Sequence, residues 1–148
     1  MNQEVIILIA EDDEGHAELI RKNLHRAGIA NKILPFRDGQ EVVDFLFRRA
    51  PGPQRTSGEA YVLLLDIRMP KLDGTEVLAQ IKADPELRKI PVVMITTTDD
   101  PREVERCHAL GCSSYLTKPV EYDAFVNAIR QLGLFLAVVQ VPKINGNT

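Results

Sequence analysis

Three stretches of this chain are apolar with almost no alternation: Val5 to Ala10, Tyr61 to Leu65 and Pro91 to Thr96. A strand with one face in water alternates apolar and polar positions. An unbroken run of β-branched and aliphatic residues instead reads as a strand covered on both faces, the habit of parallel sheets. Two shorter segments, Asn31 to Phe36 and Ser114 to Lys118, read as further strands. Between them the apolar positions switch to helical spacing. Leu19, Ile20, Leu24 and Ala27 share a face and are closed by Gly28, and Val42, Val43, Leu46 and Phe47 follow an Asp38-Gly39 turn. Thr75 to Ala83 carries Val77, Leu78 and Ile81 and stops at Asp84-Pro85, while Pro101 to Leu110 opens on a proline and ends at Gly111. A closing helix from about Tyr122 carries Phe125, Ile129, Leu132 and Leu136. Ala50 to Gly58, rich in proline and glycine, reads as a surface loop rather than a domain boundary.

Strand and helix thus alternate five times, which predicts an α/β protein of (βα)5 form, a doubly wound, flavodoxin-like parallel sheet with helices on both faces. The common strand order for such units is 2-1-3-4-5, with its switch point between the first and third strands. That order would set the acids after the first strand, Glu11-Asp12-Asp13-Glu14, beside Asp66 at the end of the third. Thr96 and Lys118 end the fourth and fifth strands at the same carboxyl edge. Each has a plainer reading alone: an acidic helix start favoured by the macrodipole, a capping hydroxyl, a surface charge. Four polar functions at four strand ends make that joint coincidence improbable.

Acids gathered at one edge repel one another, and a divalent cation relieves the repulsion. All-oxygen ligation suits Mg2+ or Mn2+, and Mg2+ keeps several waters while taking carboxylates and phosphate oxygens. Lys118 and Thr96 suit phosphoryl oxygens, and Asp66 as nucleophile would form an acyl phosphate.

Composition narrows the setting. The 148 residues suffice for one domain, and 45% hydrophobic with 26% charged content is that of a soluble globular chain. No apolar run approaches the roughly 20 residues that span a bilayer, so no membrane partner is expected. The start, Met1 to Glu4, lacks a basic region, and the apolar run after it leads into acids; cytoplasmic residence is the expectation. A net charge of -3 without a basic run argues against direct nucleic-acid binding. Cys107 and Cys112 have neither redox nor metal-ligand spacing and read as structural thiols, and His16, His25 and His108 as surface residues.

On these residues the chain resembles the response-regulator receiver domains of two-component signalling over nearly its whole length. Glu11-Asp12 matches the family's acid pair, Asp66 its phosphoacceptor, Thr96 its switch hydroxyl and Lys118 its invariant lysine. Asp66-Ile-Arg-Met-Pro-Lys-Leu-Asp-Gly74 and Tyr115-Leu-Thr-Lys-Pro119 lie in register with its loops. The resemblance implies Mg2+ on Asp12, Asp66 and the Arg68 backbone oxygen, with Glu11 through water; the extra acid Asp13 leaves open which carboxylate stands nearest. It implies a cis bond at Lys118-Pro119, inward rotation of Tyr115 as Thr96 meets the phosphoryl group, and tuning of self-dephosphorylation at Arg68 and Thr98. The bulk of Thr97 would narrow phosphodonor access. It implies a sensor histidine kinase as phosphodonor and no enzymatic turnover beyond the chain's own phosphorylation and dephosphorylation.

One domain is expected over 1–148, with 134–148 an apolar C-terminal extension on which Leu134, Val138 and Val141 form a second apolar face. With no output domain in view, signalling through a partner or a homodimer is expected. The long loop, the Asp-Pro break and this tail resemble the stand-alone regulators paired with phytochrome-type kinases. Three other classes compete. An aspartyl-phosphate phosphatase wants a second acid two residues after the nucleophile, where this chain has Arg68. A flavin protein wants a Ser/Thr/Gly-rich loop where this chain has four acids. A degenerate receiver, binding partners independently of phosphorylation, would not need the full set of site residues found here.

Overall fold

The computed structural model describes residues 1–2 and 4–146. Its elements run β1 (Ile6–Ala10), α1 (Glu14–Arg26), β2 (Ile33–Phe36), α2 (Gly39–Leu46), β3 (Glu59–Leu65), α3 (Gly74–Ala83), a 3-10 turn (Leu87–Lys89), β4 (Val92–Thr96), α4 (Pro101–Leu110), β5 (Ser114–Thr117), α5 (Tyr122–Leu136) and β6 (Lys143–Ile144). The first five strands are parallel in the order β2-β1-β3-β4-β5. This is the flavodoxin-like order expected from the sequence.

The unbroken apolar runs feed two cores. On β1, Leu8 and Ala10 face one side and Ile7 and Ile9 the other; on β3, Leu63 and Leu65 oppose Val62 and Leu64. The first set packs with Val42 and Val43 of α2, Val77, Leu78 and Ile81 of α3, and Cys107 of α4. The second packs with Ile20 and Leu24 of α1 and Phe125, Ile129 and Leu132 of α5. Period-two side chains covered on both faces leave no polar row, hence the missing alternation.

Aspartates start four of the five α-helices. Asp13, Asp38, Asp73 and Asp100 each accept a backbone N–H of the helix they precede, and Asp73 forms a reciprocal capping box with Glu76. Gly111, at φ 109°, ends α4 in the left-handed region. The Cys112 N–H then returns to the Cys107 carbonyl at 3.0 Å, which explains the five-residue cysteine spacing: these are the paired apolar positions of a helix C-terminal motif. Both thiols are buried and free, with Cys107 pushed up to about 11 by burial.

The end of the chain differs from expectation. Position 134 still belongs to α5, which stops at Leu136, so Val138 and Val141 do not extend a helical face with Leu134. The chain instead folds back: Ile144 is fully buried, β6 pairs antiparallel with Glu59 and Ala60 at the start of β3, and Val141 packs on the α1/α5 core. Residues 147 and 148 of the expected extension lie outside the described residues. Asn31 precedes β2 rather than joining it, because its buried side chain donates to the carbonyls of Asn2 and Val5 at 2.9 and 2.8 Å. The 50–58 loop lies at the surface apart from the buried Arg55, whose Nε donates to the Leu46 carbonyl.

Candidate functional site

Register assembles the site. Ala10 pairs with Leu65, so Glu11 and Asp66 leave the sheet as neighbours, and the Asp66 N–H donates to the Ala10 carbonyl at 3.0 Å. Thr96 pairs with Thr117, and the Lys118 N–H reaches the Thr96 carbonyl at 2.6 Å. The loop after Asp66 is drawn tight by Gly74, whose N–H donates to the Ile67 carbonyl at 2.7 Å. A Cβ on Gly74 would stand 2.1 Å from the Asp66 carbonyl oxygen, so only glycine lets α3 begin there.

Glu11, Asp66, Thr96 and Lys118 are all buried. The Lys118 ammonium donates to Glu11 Oε2 at 2.6 Å and Asp66 Oδ2 at 3.0 Å, and lies 3.3 Å from His16 Nδ1. Burial first, then the neighbouring Asp66 carboxylate, push Glu11 up to about 8, against the pull of Lys118. One oxygen from each of Glu11, Asp12 and Asp66 falls within 4.8 Å of the others, a spacing open to one divalent cation. Asp12 is exposed, as a metal ligand open to water would be. The ambiguous acid Asp13 is used elsewhere: its carboxylate accepts the His16 N–H at 3.0 Å as the N-cap of α1.

The Thr96 hydroxyl is fully buried and has no hydrogen-bond partner among the described residues. A buried polar atom of this kind costs free energy unless something bonds it. Thr97 is exposed, and the half-buried Thr98 lies beyond it, its hydroxyl 3.5 Å from the Asp100 N–H. The half-buried Tyr115 packs against the α2–α4 core and donates its hydroxyl to the Thr98 carbonyl at 2.7 Å; burial raises it to about 12. Arg68 has an exposed side chain, and its N–H lies 3.4 Å from Asp66 Oδ1.

One sequence expectation needs correction. The Lys118–Pro119 bond is trans; among the described residues the cis bond is Ala50–Pro51. Trans is the default for X–Pro by about 0.5–1 kcal/mol, and Lys118 reaches both acids from the trans form without the exception. His16, read from the sequence as a surface residue, is partly exposed, and its ring lies against Lys118 and edge-on to Phe125 with ring centroids 5.4 Å apart. Its place three residues after an N-cap aspartate, on the first turn facing the carboxyl edge, was the available signal.

The carboxyl edge of this doubly wound sheet thus gathers three acids, a buried lysine and a threonine hydroxyl without a partner among the described residues. The response regulator receiver domain profile matches residues 7–130, and the chain belongs to that family. A receiver domain from Rhodospirillum rubrum superposes with a TM-score of 0.89 at 48% identity, covering 95% of this chain and 99% of that one. Response regulator Rcp1 of Synechocystis is 36% identical over 117 residues, 79% of this chain and 78% of Rcp1. An Mn(2+)-bound form of Rcp1 has a TM-score of 0.80 at 31% identity, covering 93% and 98%. The phosphorylated cyanobacterial phytochrome response regulator RcpA has a TM-score of 0.79 at 28% identity, covering 93% of this chain and 98% of RcpA. Among the described residues no helix is long and apolar enough to cross a membrane.

Proposed function

We propose that this chain is the phosphoacceptor of a two-component phosphorelay, with Asp66 receiving the phosphoryl group from a sensor histidine kinase of phytochrome type. The observation that carries the reading is the buried Lys118–Glu11–Asp66 cluster beside a Thr96 hydroxyl with no bonding partner. An Asp66 carboxylate oxygen attacks phosphorus in line with the phosphohistidine nitrogen. The P–N bond breaks as the P–O bond forms, and the leaving imidazole takes up a proton. Lys118 transfers its N–H donation from the carboxylates to a phosphoryl oxygen, and Thr96 donates its hydroxyl to another.

The carboxylates of Glu11, Asp12 and Asp66, clustered, oxygen-only and partly open to water, fit Mg2+, and the Arg68 backbone oxygen would complete the protein's share of its ligands. When bound, such a cation supplies charge neutralisation for the transferring group. The acids would hold it, and Glu11, at about 8 in the metal-free protein, would ionise toward it. Tyr115 would follow Thr96 inward, exchanging its bond to Thr98 for space beside β4, and so alter the α4–β5–α5 face. Arg68 and Thr98 would set the rate of hydrolysis, and Thr97 would narrow the approach of the phosphodonor. The chemistry would be confined to the chain's own phosphorylation and dephosphorylation, in the cytoplasm and without direct contact with nucleic acid or membrane.

Output would pass through a homodimer. Leu134, Phe135 and Val138 are 59%, 48% and 74% exposed. Beside them a shallow groove of about 180 Å3 runs between the free edge of β5 and α5, lined by Leu116, Ala128, Leu132 and Phe135.

Incubation with acetyl phosphate tests the reading by intact mass. A single Mg2+-dependent phosphoryl adduct on the wild type and none on Asp66→Asn is expected. An adduct on both proteins, or on neither, contradicts it. Sedimentation of a monomer at micromolar concentration in both phosphorylation states would remove the dimer.

A further inference from the structure

We propose that His16 is a positioning residue for Lys118, supplying the acceptor that keeps the ammonium aimed into the site once the carboxylates have turned to a bound cation. The inference rests on the phosphoacceptor reading above and adds a residue to it. An ammonium has three donors and no acceptor. In this structure the three are accounted for by Glu11 Oε2, Asp66 Oδ2 and His16 Nδ1, at 2.6, 3.0 and 3.3 Å. Because Lys118 can only donate, His16 Nδ1 must present its lone pair, and the ring proton lies on Nε2. The other groups facing Nδ1 are Glu11 Oε1 at 3.7 Å and Asp13 Oδ2 at 3.8 Å, both beyond hydrogen-bond distance, which leaves Lys118 as its nearest partner.

The residue is held once at its backbone and once at its ring. The His16 N–H is tied to the Asp13 N-cap at 3.0 Å, and the imidazole meets Phe125 of α5 at 69°, an edge-to-face contact. Glu11 and Asp66, two of the three Lys118 acceptors, belong to the cluster that would hold a divalent cation, and its charge would disfavour an ammonium beside it. His16 Nδ1 is the acceptor outside that acidic cluster. It therefore keeps Nζ facing Asp66, where a phosphoryl oxygen arrives. His16 itself touches neither the reacting atoms nor the phosphoryl group, and it acts through Lys118.

Three measurements decide it: the 15N spectrum of labelled His16, the acetyl phosphate rate across donor concentration, and Mg2+ affinity, the last two on wild type, His16→Ala and His16→Gln. The wild type is expected to show an unprotonated, hydrogen-bonded Nδ1 and a protonated Nε2. His16→Ala should lower the maximal phosphorylation rate about ten-fold, the low end of what one hydrogen bond to a charged group contributes. Its Mg2+ affinity and melting temperature should hold, and His16→Gln, whose amide oxygen can accept from Lys118, should recover most of the rate. A proton on Nδ1, a wild-type rate in His16→Ala, or a rate loss that tracks Mg2+ affinity would each overturn the proposal. Should the wild type form no adduct, the phosphoacceptor reading fails, and the 15N spectrum alone still decides the His16–Lys118 contact.

Discussion

Raising the pH of the metal-free protein from 5 to 8 should destabilise it, because Glu11 must give up a proton in a place that disfavours its charge. Glu11 stands at about 8 in the folded chain against 4.5 for a free side chain, with burial the leading cause and Asp66 the next. A group whose folded value is raised contributes its stability below the unfolded value and loses it as the pH climbs through the folded one. The window is therefore about 4.5 to 8. At pH 7 the loss spans 2.5 pH units at about 1.4 kcal/mol each, roughly 3 kcal/mol, a large part of a domain's total stability. The other shifted groups act elsewhere. Asp13, Glu18, Glu86 and Asp100 are lowered carboxylates whose stabilisation fades in more acid solution, and Cys107 and Tyr115, at about 11 and about 12, titrate above the window. Urea unfolding in chelator at pH 5.5, 7 and 8 measures the slope. Repetition in saturating Mg2+ should flatten it, since a bound cation favours ionised Glu11. Asp66→Asn should flatten it in part, removing the Asp66 causes and leaving burial. Stability that is level or rises with pH in chelator would refute the reasoning.

Lys118→Met leaves Glu11 and Asp66 buried together without a counter-charge and should cost about 3 kcal/mol at pH 8, recoverable with Mg2+, as urea unfolding would show. Thr96→Val replaces an unbonded hydroxyl with a methyl group; the metal-free chain should melt no lower and be more stable by up to about 1 kcal/mol, while the phosphoryl group loses a donor and the adduct a measurable part of its lifetime. Gly74→Ala sets a Cβ 2.1 Å from a backbone oxygen that no rotamer change can relieve, and should cost at least about 2 kcal/mol and weaken Mg2+ binding by displacing Asp66, read by unfolding and metal titration.

Much of this was legible because the sheet is buried on both faces. Continuous apolar runs at 5–10, 61–65 and 91–96 identify the central strands, and each delivers its next polar residue to one edge. The strand order then brings Glu11 to Asp66. Contacts made by side chains reaching between elements were not legible. Nothing local in Asp12-Asp13 says that one carboxylate faces the cluster and the other caps a helix. His16 reads as an exposed helical histidine until α1, β5 and α5 are assembled around it. Nor does a tail of Leu134 to Val141 announce that three residues later Ile144 will be fully buried beside β3. In the sequence Leu134, Val138 and Val141 form a second helical face, whereas the chain leaves the helix at Leu136, with Val141 against the core and Leu134 and Val138 at the surface.

The central claim is that a phosphoryl group forms an acyl phosphate on Asp66 and nowhere else. Borohydride reduction converts an aspartyl phosphate to homoserine, which peptide mass mapping locates. After treatment with acetyl phosphate and Mg2+, the account predicts that conversion at position 66 alone, abolished by chelator. Conversion at Asp12 or Asp13, or at no carboxylate while the intact protein carries a phosphoryl adduct, would contradict it.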